Sequence, residues 1–268
     1  MAISVDCGRH AVKAIFNGRR LTYPSVVGEW RERKITEGGN YEVSINGQRY
    51  FVGELAQHES RYARDMTTKS KIHEETKILT LTAIALLAET ERVQLVTGLP
   101  VDQHTPETKA ELRRLLAGIY DIEINGVKKH IRLAEADIII TIEGAGAYIA
   151  ESPPGKCRVI DAGSRTINTV TIDENKKYRD LQSGTLDYGC MELQADDKAE
   201  QFSRRIITDL SKLWVKYSGE TVLLTGGGAG ALEPYLSKHY KVRQVSNPIY
   251  ANAIGYHTLG ARMWQKQG

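Results

Sequence analysis

Two passages in opposite halves of this chain share one pattern. Ser4-Val5-Asp6-Cys7-Gly8-Arg9 and Val159-Ile160-Asp161-Ala162-Gly163-Ser164 each close an apolar run with an aspartate, followed by one residue and a glycine. In both places a second apolar run follows (12–16 and 166–172), so each passage reads as strand, tight turn, strand. A glycine there lets backbone N–H groups approach an anion closely, and the aspartate stands beside them at the strand end. The echo predicts two related lobes, each offering its turn to a shared cleft. No repeat of about 20–50 residues accompanies it, which excludes a solenoid or propeller.

Asn17-Gly18, Asn46-Gly47 and Asn125-Gly126 each separate two short apolar runs, a pattern that predicts three hairpins. Helical spacing is expected over 73–90, from Pro106 to 117, and over 194–216, 229–238 and 249–264. Short buried strands are expected at 93–97, 137–142, 158–160, 221–225 and 241–245. Residues 29–40 read as a loop, and 177–181 as a strand pairing with 166–172. Strands alternate with helices, so the class is α/β. Pro153-Pro154-Gly155 suits a crossover between lobes, giving lobe I at 1–152, with a small inserted subdomain at about 18–72, and lobe II at 153–268.

The chain has 268 residues, 41% of them hydrophobic and 26% charged, which is ordinary globular usage and enough for a sizeable core. The formal net charge of +3 is too small to imply direct nucleic-acid binding. Cys7, Cys157 and Cys190 are odd in number and far apart, which favours neither a disulfide framework nor a zinc site and fits a reduced, cytoplasmic setting. No signal-peptide core and no apolar run near the roughly 18–20 residues of a membrane span is present, so no membrane partner is expected.

Four sites could carry chemistry. Asp6 and Gly8, with Lys13 on the next strand, could hold a magnesium ion through water and neutralise phosphate charge, although the same residues suit a plain hairpin turn. Asp161-Ala162-Gly163-Ser164-Arg165-Thr166 repeats that design. Gly226-Gly227-Gly228 follows a strand and opens a helix, so bare backbone there could lie against a base and ribose. It lacks the Gly-Lys-Ser/Thr of a Walker loop, and in isolation it is also a simple glycine-rich helix start. Glu143, at a strand-to-helix junction, could orient an attacking water or merely complement a helix dipole.

Together these four sites resemble the actin-like ATPase superfamily over nearly the whole chain. Val96-Thr97-Gly98-Leu99-Pro100 and Asn247-Pro248-x-Tyr250-Ala251-Asn252-Ala253-x-Gly255 are similar to the wording of bacterial plasmid-segregation actins of the ParM type. The short interval from Asp161 to Gly226 leaves no room for subdomain IIB, which resembles the shortened AlfA type from Bacillus. The resemblance implies two ribonuclease-H-like lobes around a nucleotide cleft, the second lobe reduced. It implies ATP, or GTP, with Mg²⁺ as cofactors. Asp6 and Asp161 would hold the metal and Glu143 would align water. Gly8, Lys13, Gly163, Ser164 and Thr166 would meet the phosphates, and Gly226, Gly227 and Gly228 the adenosine. The implied activity is nucleotide-driven polymerisation for plasmid DNA segregation. Its partners would be further copies of the chain and a DNA-binding adaptor protein, with plasmid DNA engaged indirectly. A small-molecule kinase of the same superfamily and a non-polymerising nucleotide-binding scaffold stay open as alternatives.

Overall fold

The computed structural model describes residues 2–34, 39, 41–65, 70–193 and 198–264. The chain packs into two compact units, neither contiguous in sequence. One takes the described residues of 1–98, 105–141 and 259–268, the other those of 99–104 and 142–258.

The first unit begins with an antiparallel meander, β1 (Ile3–Cys7), β2 (Ala11–Phe16) and β3 (Arg19–Pro24). It continues through β4 (Val26–Glu29), β5 (Tyr41–Ile45), β6 (Gln48–Val52), helix α1 (Glu54–Glu59), β7 (Arg64–Asp65), α2 (Glu74–Leu87) and β8 (Leu95–Leu99). Then come α3 (Pro106–Leu116), β9 (Gly118–Ile124), β10 (Val127–Leu133) and β11 (Ile138–Ile142). All three expected Asn-Gly hairpins form, with both turn residues at positive φ: 47° and 77°, 49° and 84°, 48° and 85°. These are the left-handed values that a two-residue turn needs to match strand twist. Thr105 caps α3, its hydroxyl oxygen accepting the Thr108 N–H, with Pro106 next in the first turn. Glu74 and Glu75 occupy the first turn of α2, where carboxylates complement the helix dipole. That helix is buried nearly all round, with Ile78, Leu79, Leu81 and Ile84 at zero exposure.

β1 lies centrally in the sheet β3-β2-β1-β8-β11 and is parallel to β8. A second, six-stranded sheet runs β10-β9-β5-β6-β4-β7, so the segment after the meander is completed by a hairpin from much later in the chain.

The second unit holds α4 (Ala145–Glu151), β12 (Cys157–Ala162), β13 (Ile167–Ile172), β14 (Gly184–Leu186), α5 (Lys198–Leu213), β15 (Thr221–Thr225), α6 (Ala229–Leu236) and β16 (Val242–Gln244). The closing helix, α7 (Ala251–Trp264), gives its first half to this unit and its last turns to the other. The sheet order is β14-β13-β12-β15-β16, with β12 parallel to β15. Strand for strand this is the order of the first unit: a meander read third, second, first, then two strands each reached through a helix. The echo in the sequence is therefore an echo of topology.

Every residue of β12 and β13 is buried. One face packs Ile160, Val222 and Leu224 against Phe202, Ile206 and Leu210 of α5. The other packs Val159, Val170 and Leu223 against Ala147, Val245 and Ala251. Each large apolar side chain so buried contributes roughly 1.5–3 kcal/mol before its entropy cost. Arg158 is an exception within β12. It is fully buried, its Nε donating to Glu220 Oε1 at 2.5 Å and its guanidinium 4.8 Å from the Trp214 ring centre.

Two expectations need correction. Residues 177–181 do not form a strand. A turn closed by Asp173, which accepts the Lys177 N–H on its carboxylate, leaves a single bridge from Tyr178 to Ile172, and the chain then coils tightly over Asp180–Gln182. The partner of β13 is instead β14, in a stretch where no strand is expected from the sequence. The second correction is to the first residue of the loop expected at 29–40: Glu29 closes β4, residues 30–34 and 39 lie in no helix or strand, and 35–38 and 40 lie outside the described residues. The short elements α1 and β7 have no counterpart in the sequence expectations. The start of the helix expected at 194–216 lies outside the described residues, and α5 begins at Lys198.

Candidate functional site

In the first unit the register sets Asp6 directly opposite Lys13. Directly opposed residues share a face of the sheet. Lys13 Nζ lies 3.9 Å from Asp6 Oδ2, and the two side chains are 18% and 10% exposed. Gly8 sits in the turn between them. A Cβ there would stand 2.8 Å from the Ala11 carbonyl oxygen and 3.0 Å from Lys13 Nζ, so a side chain would displace the ammonium. The turn's own carbonyls are tied back: the Ser25 hydroxyl donates to the Gly8 carbonyl at 2.5 Å, and Nζ of the buried Lys71 to that of Cys7. Lys71 is not singled out by the sequence because it lies in a charge-rich stretch that resembles solvated surface.

In the second unit Asp161 stands opposite Asn168 in the same register. Asp161 Oδ2 accepts from Asn252 Nδ2 at 2.8 Å, and Asn252 Oδ1 accepts the Gly144 N–H at 2.9 Å. A backbone N–H can only donate, so the Asn252 amide has one orientation here. Gly163 packs where a Cβ would meet the Thr166 carbonyl oxygen at 2.8 Å. The carbonyls of Gly163 and Ser164 accept the N–H groups of Cys190 and Met191 at 2.9 and 2.8 Å, and Thr166 is buried. Arg165 Nε is buried without a hydrogen-bond partner among the described residues. Glu143 is buried. Its N–H donates to the Leu99 carbonyl at 2.8 Å, and its Oε2 accepts from Asn168 Nδ2 at 3.1 Å.

The three glycines after β15 differ in what they do. Gly226 has φ +89°, and a Cβ on it would lie 2.4 Å from the Ala162 carbonyl oxygen. A Cβ on Gly228 would meet Cys190 Sγ at 2.1 Å. Both are required by close packing against β12 and its neighbours. A Cβ on Gly227 would meet nothing within 4 Å, so this residue presents bare backbone to open space. Burial, with the Asp161 charge adding to it, pushes the Cys190 thiol up to about 12, which leaves it neutral and unreactive at physiological pH.

The structure thus gathers Asp6, Gly8 and Lys13 in the first unit. In the second, Glu143, Asp161, Gly163, Ser164, Thr166 and the glycines 226–228 gather round the end of β12. Asn168 and Asn252 join them, although the sequence alone assigns neither a role. Among the described residues no group of three or more His, Cys, Asp or Glu side chains could hold a metal ion. Each turn sets one aspartate beside a glycine, and magnesium in general keeps several waters and needs only one or two carboxylates.

A family model described as the N-terminal domain of actin-like proteins matches residues 4–146. No curated protein sequence matches the chain. Among solved structures, a 15-stranded ParM filament from Clostridium botulinum is similar at 22% identity, with 98% of this chain and 99% of that one covered and a TM-score of 0.79. An AlfA filament bound to AMPPNP is similar at 19% identity, with 100% and 98% covered and a TM-score of 0.79. The archaeal actin homologue Ta0583 in complex with ADP is similar at 18% identity, with 98% and 100% covered and a TM-score of 0.78. At such identities the likeness shows the fold, and the fold is the actin-like one. The family match extends over more than half of the sequence, and the chain belongs to the actin-like proteins.

Proposed function

We propose that this chain is a nucleotide-dependent polymerising ATPase whose filaments segregate plasmid DNA through a DNA-binding adaptor in the cytoplasm. The observation that carries the reading is the aspartate turn built twice, once on each of two sheets of identical strand order. The similar structures support it, since they include filaments, an AMPPNP-bound state and an ADP complex.

In this reading Asp6 and Asp161 hold Mg²⁺ through water. Bound magnesium would screen the phosphate charge during phosphoryl transfer. Lys13 neutralises phosphate oxygens, while Gly8, Gly163, Ser164 and Thr166 bring the turns close to them. Gly226, Gly227 and Gly228 face the adenosine, with Gly227 leaving its surface bare. Glu143 aligns the attacking water, acting by position and by accepting a proton-bearing hydrogen bond. Lobe I would be residues 1–152 and lobe II residues 153–268, the latter without subdomain IIB.

The test is pelleting and negative-stain microscopy of the purified chain with Mg·ATP, Mg·GTP, Mg·ADP or no nucleotide, beside a phosphate-release assay. Filaments that appear only with a triphosphate, and phosphate released as they age, are the expected result. Dispersed protein under every condition at concentrations well above micromolar would overturn polymerisation.

A further inference from the structure

Within the second unit a line of hydrogen bonds runs from Glu143 to the tight turn after β8. Asn168 Nδ2 donates to Glu143 Oε2 at 3.1 Å. Asn168 Oδ1 accepts from Thr185 Oγ1 at 2.8 Å and from the Val101 N–H at 3.3 Å. Thr185 Oγ1 in turn accepts the Asp102 N–H at 3.4 Å, and the Thr185 N–H donates back to Asp102 Oδ1 at 3.1 Å.

We propose that Asn168 and Thr185 are positioning residues that aim the Glu143 carboxylate, with Asp102 anchoring the far end of the line. The inference rests on the hydrolytic reading of the site.

The sense of each bond is fixed. Val101 and Asp102 contribute backbone N–H groups, which can only donate. The Val101 N–H therefore holds the oxygen of the Asn168 amide on its own side and turns Nδ2 towards Glu143. Oδ1 of Asn168 can only accept, so the Thr185 hydroxyl proton goes to it, while the Asp102 N–H occupies a lone pair of Thr185 Oγ1. Bonds aligned head to tail polarise one another, and this line is buried at Asn168.

The residue type at 168 matters as much as its place. Counting from the aspartates, 168 − 161 and 13 − 6 give the same spacing, and the two registers pair Asp161 with Asn168 as they pair Asp6 with Lys13. A lysine at 168 would put a cation beside Glu143. The neutral amide orients the carboxylate through one hydrogen bond without bringing a charge to it. The register also sets Asn168 opposite Thr185 across β13 and β14, so the short strand β14 exists at the place where the hydroxyl is needed.

The experiment is steady-state phosphate release from the full chain with Mg·ATP, together with the affinity for a fluorescent ATP analogue. Thr185→Val keeps the shape and removes the hydroxyl. It should lower kcat about tenfold, the scale of a misaligned proton-transfer group, with KM and analogue affinity unchanged. Thr185→Ser should restore the rate. In a Glu143→Gln background Thr185→Val should cost nothing further, because the hydroxyl acts through Glu143. A Thr185→Val chain that hydrolyses like wild type, or whose loss adds fully to that of Glu143→Gln, overturns the relay alone. A wild-type chain that releases no phosphate overturns the hydrolytic reading and the relay with it.

Discussion

Single residues after β15 separate packing from binding. Gly226→Ala forces a Cβ into the Ala162 carbonyl at a left-handed φ, so it should lower stability by about 1–3 kcal/mol, readable as a lower urea midpoint. Gly227→Ala adds a methyl group in open space and should leave the midpoint alone while weakening ATP-analogue binding. Equal affinity for wild type and Gly227→Ala would remove the adenosine assignment. Glu220 makes a different prediction. Burial would raise its carboxyl, but the N–H groups of Ser218 and Glu220 and the buried Arg158 outweigh that and hold it at about 2. Its folded value is depressed, so its stabilisation is fully present above about pH 4.5 and is lost as the pH falls towards about 2. In urea titrations across this window, Glu220→Gln should flatten that part of the slope. At neutral pH it should cost about 3–5 kcal/mol, because Arg158 stays charged in the core. Asp6 and Asp161 are legible in the sequence because packing alone seldom places a carboxylate at the end of an apolar run. Asn252 is visible only as part of the ParM-type wording, since its contact with Asp161 spans 91 positions. Asn168 does leave a signal, the spacing it shares with Lys13.

Helices and strands are legible where the local code is strong. The Asn-Gly turns set three hairpins, and Thr105-Pro106 set the start of α3. β14 is not, because its few residues carry no alternation, and its pairing depends on the turn at Asp173 and the coil at Asp180–Gln182. α1 is hidden because one and a half turns leave too little periodicity to read. The contact of α4 with α7 is also invisible, although its glycines stand in plain view. A Cβ on Gly255 would fall 2.0 Å from the Gly146 carbonyl oxygen, and one on Gly146 would fall 2.5 Å from the Asn252 Cα. The two helices therefore touch through backbone, and that touch holds Asn252 against Asp161 and Gly144. Gly255→Ala should push them apart, at about 1–3 kcal/mol of overpacking strain, and should weaken Mg·ATP binding by misplacing Asn252. Calorimetry on the apo chain and an affinity titration measure the two effects separately, and full retention of both would contradict this packing.

At the scale of the molecule, a ligand that binds only the folded chain adds stability by mass action, about 2.7 kcal/mol at one hundred times its dissociation constant. For a chain of this size that is a rise in Tm of several degrees at saturation. Mg·ATP should produce that rise in wild type, and Asp6→Ala and Asp161→Ala should each shrink it. An undiminished rise in Asp161→Ala would remove its metal role. The two-lobe plan is legible because topology leaves its mark twice in the sequence. The interleaving of the units is not, because residues 99–104 and 259–264 join their units through tertiary contacts alone.

That interleaving has a consequence for fragments of the chain. Gly260, in the last turns of α7, packs where a Cβ would touch Ala2 at 2.8 Å and Val96 at 3.1 Å. The neighbourhood of β1 thus depends on a residue far along the chain. Any fragment that lacks Gly260 leaves β1 an apolar strand with part of its cover missing, so the first unit is not separable as a continuous piece of sequence.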